Sequence, residues 1–313
     1  MTNAATTPAT PAAAPQIDNL RGIGWALISV VGASAMSIAV REMSLTIDSR
    51  MIVTLRAAAT VACFLPMLLF MPSMRRLRFS RPWLHLLRGV LIGGATHLGF
   101  YTLAEIPLAT ATVLFFTAPI FATLIGALFL GERVGPRRWA AVLVGFMGAV
   151  VILRPGAGAL EPAMLAALAS SAMFAVALSL SRAVAQADGT QAAFVSATVV
   201  MLVTSLPLSA GVMELPGSPW VWGMLLVVIL GGAVRSLADI QSYRIADASV
   251  VGPVSYLRLV LMGGAGFLFF AEVPDGYTIL GAAIVIAATL YLARREAALR
   301  REARAARAAS AAG

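Results

Sequence analysis

Apolar residues run along this chain in long uninterrupted stretches, and the polar residues collect between them instead of recurring every third or fourth position. The stretches lie at about 22–40, 51–71, 84–103, 109–130, 139–153, 162–181, 192–212, 221–237, 249–271 and 277–293. A helix crossing a hydrocarbon core of about 30 Å needs about 20 apolar residues, and most of these stretches supply them. Charged faces at helical spacing would mark a soluble helical protein, and they are missing. The pattern predicts an all-α, polytopic membrane protein with ten transmembrane helices. The fifth stretch is the shortest and has to stand upright or thin the bilayer around it.

The stretches repeat. Pro82-Trp83 followed by LIGGA at 91–95 returns as Pro219-Trp220 followed by ILGGA at 229–233, and SAM at 34–36 returns at 171–173. Pro66 matches Pro207, AEIPLATA at 104–111 matches YRIADASV at 243–250, and FLGE ending at Glu132 matches FFAE ending at Glu272. The offset stays between 137 and 141 residues. Five spans per unit is an odd number, so the two copies sit in the membrane with opposite orientation. Inverted repeats of this kind frame a carrier whose central site is exposed to either side in turn. The expected organisation is a disordered tail over 1–20, one five-helix repeat over 21–154, a second over 155–293 and a basic tail over 294–313.

Composition agrees with the pattern and charge orients it. The 313 residues are 60% hydrophobic and 12% charged, with a mean hydropathy of +0.89. All 23 basic residues are arginine, and the formal net charge is +9. They gather at Arg75, Arg76, Arg78 and Arg81, at Arg133, Arg137 and Arg138, and in the tail from Arg294 to Arg307. The opposite loops carry Glu105, Glu214, Glu272 and Asp275, with Arg41, Arg50 and Arg154 near helix ends. This bias predicts a multi-pass membrane protein with both termini cytoplasmic, and a tail lying on anionic lipid, not on nucleic acid. The Ala/Thr/Pro-rich start has no basic segment ahead of an apolar core, so it reads as a tail and not a signal peptide. Cys63 is the single cysteine and sits within an apolar stretch, which leaves no disulfide within the chain.

LFLGERVGPRRWAAVLVGFMGAVVIL closes one half, and SYLRLVLMGGAGFLFFAEVPDGYTILGAAIVIAATLYLARRE closes the other. With five plus five spans, these segments resemble the EamA-type branch of the drug/metabolite transporter superfamily. The resemblance runs from about Gly22 to Glu296. It implies a basket of ten helices whose cavity is lined by spans one, three, four, six, eight and nine. It also implies a carrier of the kind that includes bacterial aromatic amino-acid exporters and uptake carriers for S-adenosylmethionine.

Charge at depth in a bilayer costs several kcal/mol unless it faces protein or a wet cavity, so the buried charges are the first site candidates. Arg56 lies in span two and Arg258 in span nine, and the repeat offset duplicates neither, placing Ser196 and Ala118 opposite them. Arg56 is expected to clamp span two against span one through helix carbonyls or a loop carboxylate such as Asp48 or Glu42. Arg258, with Ser255 and Tyr256 near it, is expected to take a substrate carboxylate bidentately. His97 in span three is a proton-coupling or binding candidate. Arg235 and Asp239 in span eight read as an i, i+4 ion pair and an inner gate. Trp25, Met36, Phe100, Tyr101, Phe115, Phe116, Met173 and Phe174 supply aromatic and thioether walls. Gly93, Gly94, Gly231 and Gly232 allow close helix approach, as do Gly263 and Gly264, and Pro119 and Pro253 are expected bending points. Gly145 and Ala149 form a small-residue face that suits a monomer or a weak homodimer. The first span has no carboxylate, which argues against a cation/proton antiporter. No GxxxxGK[ST] loop, metal-ligand cluster or Ser/His/Asp arrangement is visible, so no catalysis, cofactor or metal is expected. The sequence thus points to secondary transport of aromatic or other hydrophobic amino acids and related metabolites, with export expected, or with uptake of S-adenosylmethionine as the alternative.

Overall fold

The computed structural model describes residues 18–70, 77–129, 134–154, 161–246, 251 and 253–312. The 1–17 stretch, Arg75, Arg76, Glu132, Arg133 and the repeat match at 247–250 lie outside the described residues, as do most side chains beyond Ala298. The helices are α1 (Asn19–Ser44), α2 (Ser49–Phe70), α3 (Pro82–Glu105), α4 (Leu108–Phe115) and α5 (Ala118–Phe129). They continue with α6 (Pro136–Leu153), α7 (Pro162–Ser209), α8 (Pro219–Ile245), α9 (Leu257–Phe270) and α10 (Gly276–Ala312).

Local chemistry sets many of the boundaries. A proline stands in the first turn of α3, α6, α7 and α8, where its missing N–H costs nothing and its fixed φ suits the helix. Asp18 caps α1 by accepting the Arg21 N–H at 3.0 Å. Gly189 interrupts α7 at φ 87° and ψ 160°, a conformation that favours glycine, and divides it into two limbs that cross separately.

Among the described residues, eight helical segments are long and apolar enough to cross a membrane. They are α1, α2, the joined α4 and α5, α6, the two limbs of α7, α8 and the first part of α10. Length and apolarity therefore do not yield the ten spans expected. The 24 residues of α3 have the length, but His85, Arg88 and His97 dilute their apolarity. The 14 residues of α9 form a shorter apolar helix.

The inverted repeat is also the packing plan. α1 packs antiparallel on α8, and its image under the repeat is the first limb of α7 packed antiparallel on α3. The remaining pairs map onto themselves: α2 with the second limb of α7, α4 with α9, and α6 with α10. Lipid tails are as apolar as leucine, so no hydrophobic effect draws these helices together, and close backbone packing has to do it. Gly32 and Gly231 meet reciprocally: a Cβ on Gly231 would stand 2.8 Å from the Gly32 carbonyl oxygen, and one on Gly32 would stand 3.0 Å from that of Gly231. Gly93 lies against Met201 and Thr204, and Gly94 against Met173.

Two expectations change here. The Gly145 and Ala149 face is not left for a second copy; it is buried within the chain, where Gly145 meets Ile120 and Ala288 and the adjoining Gly148 meets Ile284 of α10. Gly263 and Gly264 make no close approach, since a Cβ on either meets nothing within 4 Å.

These contacts separate two chemically identical substitutions. Gly231→Ala forces a methyl against a backbone oxygen and is expected to destabilise the protein by about 1–3 kcal/mol. Gly263→Ala is expected to leave stability unchanged or raise it by up to about 1 kcal/mol through helix propensity. Thermal unfolding of the two variants in the same detergent, followed by loss of the monodisperse peak, compares them directly.

Candidate functional site

Two helix breaks face each other near the centre of the fold. The fourth span is split between α4 and α5 at Phe116 and Thr117, just before Pro119, and a turn at Ser255 and Tyr256 follows Pro253 ahead of α9. A break inside a bilayer leaves carbonyls that must find donors within the protein. Thr117 Oγ1 donates to the Leu114 carbonyl at 2.6 Å, Ser171 Oγ donates to the same oxygen at 3.2 Å, and Thr289 Oγ1 reaches the Phe116 carbonyl at 3.4 Å. The rings of Phe116 and Tyr256 lie 5.0 Å apart at 54°. Their numbers differ by 140, the repeat offset, so this ring pair marks the pseudo-two-fold axis.

Beside the breaks lies a cluster of charge. Arg258 donates from Nη2 to Ser37 Oγ of α1 at 2.9 Å, and its Nε is buried without a hydrogen-bond partner among the described residues. The Arg56 guanidinium sits 5.6 Å from the centroid of the Phe100 ring, a cation–π placement, and Nη2 is 3.2 Å from where a Cβ on Gly232 would be. Among the described residues this guanidinium has no hydrogen bond or ion pair. Arg235 Nε stands 3.7 Å from Asp239 Oδ2, while Ser29 Oγ donates to Asp239 Oδ1 at 2.5 Å. Arg235 is near enough to repel both Arg56 and Arg258, and Asp239 attracts Arg258. Among the described residues, three guanidiniums thus share one carboxylate, which a serine already engages.

The loop carboxylate considered for Arg56 is committed elsewhere. Asp48 accepts from Arg50 Nε at 2.9 Å and Nη2 at 2.7 Å, and this bonding holds its carboxyl below the usual carboxylate range. Arg258 is therefore the tethered arginine, and Arg56 is the one left without a carboxylate.

The other predicted residues divide. Met36 and Phe100 are buried beside the cluster, and Phe115 packs against Gly99. Trp25 continues the Ser29, Gly32 and Met36 stripe of α1 toward the membrane face where that helix begins, here called the near face, and is exposed there. Phe174 is exposed and lies outside the core, so it is not brought to the cluster. His97 and Tyr101 line a separate pocket of about 830 Å³ at the far face, beside the 44–50 turn.

Three arrangements had no reading in the sequence. Arg88 donates to Ser181 Oγ and to the Ala193 carbonyl, both at 2.7 Å, tying α3 to both limbs of α7. A Ser/His/Asp line does exist: His85 Nδ1 meets Ser196 Oγ at 2.7 Å, and Nε2 meets Asp188 Oδ2 at 2.9 Å. His85 is only 3% exposed and Asp188 also accepts the Ser80 N–H at 3.0 Å, so the line fastens the 78–81 turn to the break in α7 and offers no open nucleophile. The third joins four helices at the far face. Glu272 takes Arg41 Nη2 on one oxygen at 3.1 Å and the Leu108 N–H, at the start of α4, on the other at 2.8 Å. Arg41 also donates to the carbonyls of Leu103 and Ala104 at the end of α3.

Comparison with known proteins places this architecture. Residues 20–154 and 161–294 each match the EamA-like transporter family. The chain belongs to that family. An S-adenosylmethionine uptake transporter of Rickettsia bellii is 30% identical over 87% of this chain and 92% of its own length. A riboflavin transporter of Rhizobium johnstonii is 34% identical over 74% of this chain and 78% of its own. A pseudopaline exporter of Pseudomonas aeruginosa is 31% identical over 87% and 96%. A solved crystal structure, 20% identical, shares the fold with a TM-score of 0.56 over 89% of this chain and 99% of the other. The named relatives move different cargoes in both directions, so membership in the EamA family leaves the substrate open.

For an EamA transporter the Glu272 junction has a mechanical consequence. It ties α1, α3, α4 and the end of α9 at one face, so any motion parting them there must break it. Its side chains are 17% and 10% exposed for Arg41 and Glu272, which makes removal of one partner costly. Glu272→Gln is expected to lower stability by about 3 kcal/mol, because it leaves Arg41 uncompensated. The double variant Arg41→Met, Glu272→Met is expected to recover at least half of that loss, as read from thermal unfolding in detergent.

Proposed function

We propose that this transporter carries a zwitterionic amino acid with an aromatic or other hydrophobic side chain, or a metabolite derived from one. In this reading it works by alternating access as a secondary exporter in a bacterial inner membrane, with both termini in the cytoplasm. The carrying observation is the charge beside the helix breaks: among the described residues, Arg56, Arg235 and Arg258 stand against Asp239. Unneutralised guanidiniums in a low-dielectric interior favour an anionic ligand, and a carboxylate matches the planar donor fork. Phe100, Met36, Phe116 and Tyr256 supply an apolar and aromatic surround for the remainder of such a molecule. Arg258, held by Ser37, presents a fixed donor, and Arg56 presents one with no hydrogen bond or ion pair among the described residues. The orientation rests on the arginine bias of the loops and tail.

The second reading is uptake of S-adenosylmethionine, favoured by the Rickettsia relatives. It keeps the same amino-acid carboxylate and replaces the side chain by an adenosyl sulfonium. Direction depends on gradients as well as on residues.

Proteoliposome flux of labelled phenylalanine, S-adenosylmethionine and riboflavin, with and without a pH gradient, tests the proposal. A carboxylate-bearing cargo is expected to be carried, and its methyl ester to compete about 10–100-fold more weakly, the worth of a lost charge-assisted hydrogen bond. Arg56→Ala and Arg258→Ala are each expected to cut flux more than about tenfold while the protein remains monodisperse. Transport of quaternary ammonium compounds together with indifference to carboxylates sinks the reading.

A further inference from the structure

The far-face pocket is set apart from the guanidinium cluster by α3. That helix turns Phe100 toward Arg56, while Gly94, His97, Leu98 and Tyr101, at i, i+3, i+4 and i+7, line the pocket. Its volume of about 830 Å³ lies within the range of small-molecule sites. His97 lines the pocket with its Nε2 meeting Ser205 Oγ at 2.7 Å, and its Nδ1 is buried without a hydrogen bond among the described residues.

The charges here are opposite in sign to those of the cluster. Asp48 and Arg50 neutralise each other through two hydrogen bonds between their side chains. Glu105 lines the pocket, is exposed, and has no ion pair among the described residues. The pocket therefore carries an uncompensated negative charge, where the cluster carries uncompensated positive charge.

We propose that this pocket is a second substrate station, one that binds the cationic end of the cargo. Glu105 takes an ammonium or sulfonium group, and the Tyr101 ring flanks it. The cargo's identity rests on the proposed function, and the pair of stations explains how one zwitterion is met by opposite charges at two points on its route. A purely anionic cargo would be repelled at the far face, and a purely cationic one at the centre.

Two half-substrates separate the stations. Phenethylamine has the ring and the ammonium without the carboxylate, and 3-phenylpropionate has the ring and the carboxylate without the ammonium. Binding of each to the full-length transporter in nanodiscs is measured by calorimetry or ligand-observed NMR. Phenethylamine is expected to bind wild type and Arg56→Ala alike, and to lose about tenfold in affinity in Glu105→Gln and in Tyr101→Ala. Glu105 is exposed, so its variant keeps the fold. 3-Phenylpropionate is expected to ignore Glu105→Gln and to weaken in Arg56→Ala. If phenethylamine fails to bind, or binds all variants equally, the station does not exist. If 3-phenylpropionate is indifferent to both Arg56→Ala and Arg258→Ala, the carboxylate reading of the centre falls, while the phenethylamine result still decides the pocket.

Discussion

Backbone contact at glycine is the constraint on which the rest of this molecule depends. In hydrocarbon the helices gain nothing by hiding apolar side chains from one another, so their association rests on dispersion at close range and on polar contacts between spans. The reciprocal approach of Gly32 and Gly231 brings α1 against α8, and the same approach places Met36 and Gly232 beside the Arg56 guanidinium. A side chain at either glycine would push α8 away and take Arg235 and Asp239 with it. Gly232 also meets Met36, and the image of that contact under the repeat, Gly94 against Met173, sets α3 on the first limb of α7. That glycine–methionine approach, used in both inverted copies, and the Gly32–Gly231 contact together build the frame around the central cluster.

Within that frame, charge is tolerated where it is bonded and becomes informative where it is not. Arg41, Arg88 and Arg154 are tied to carbonyls, hydroxyls or carboxylates of neighbouring helices, with Arg154 reaching Asp275 and lying 4.1 Å from the Tyr277 ring centroid. Such groups hold helix ends together. Arg56 differs, since its neighbours are a ring, a glycine backbone and the repelling Arg235. A cation so placed is a poor structural element and a good receptor for an anion. The same reasoning, with the sign reversed, applies to Glu105 at the far-face pocket. The broken helices between these points, joined at Phe116 and Tyr256, offer fewer backbone bonds to disrupt than continuous helices do.

Much of this was legible along the chain. Apolar length announced eight of the ten expected spans, the 137-to-141-residue offset announced the inverted copies, and the two breaks lie beside Pro119 and Pro253. The residues misplaced or missed share a cause. Phe174 and Phe100 are both aromatic and both on spans assigned to the cavity, yet only Phe100 is turned inward, because the rotation of each helix is set by its neighbours. Asp48 precedes Arg56 closely enough in the chain to be a candidate partner, but the turn in which it sits gave it to Arg50. The Arg41–Glu272 pair joins residues 231 apart, and the His85–Asp188 pair residues 103 apart. No sequence period couples positions so distant.

Hydrophobic length, punctuation by glycine and proline, and self-similarity are properties of the linear chain, and the solvent, the segmentation and the symmetry follow from them. Packing between helices settles which arginine is tethered and which has no partner among the described residues, that the small-residue face of α6 is covered by α10, and that His97 and Tyr101 belong to a pocket apart from the central cluster. Those outcomes depend on helix rotation and on distances of a few ångströms between spans, which neighbouring helices impose and no single helix encodes.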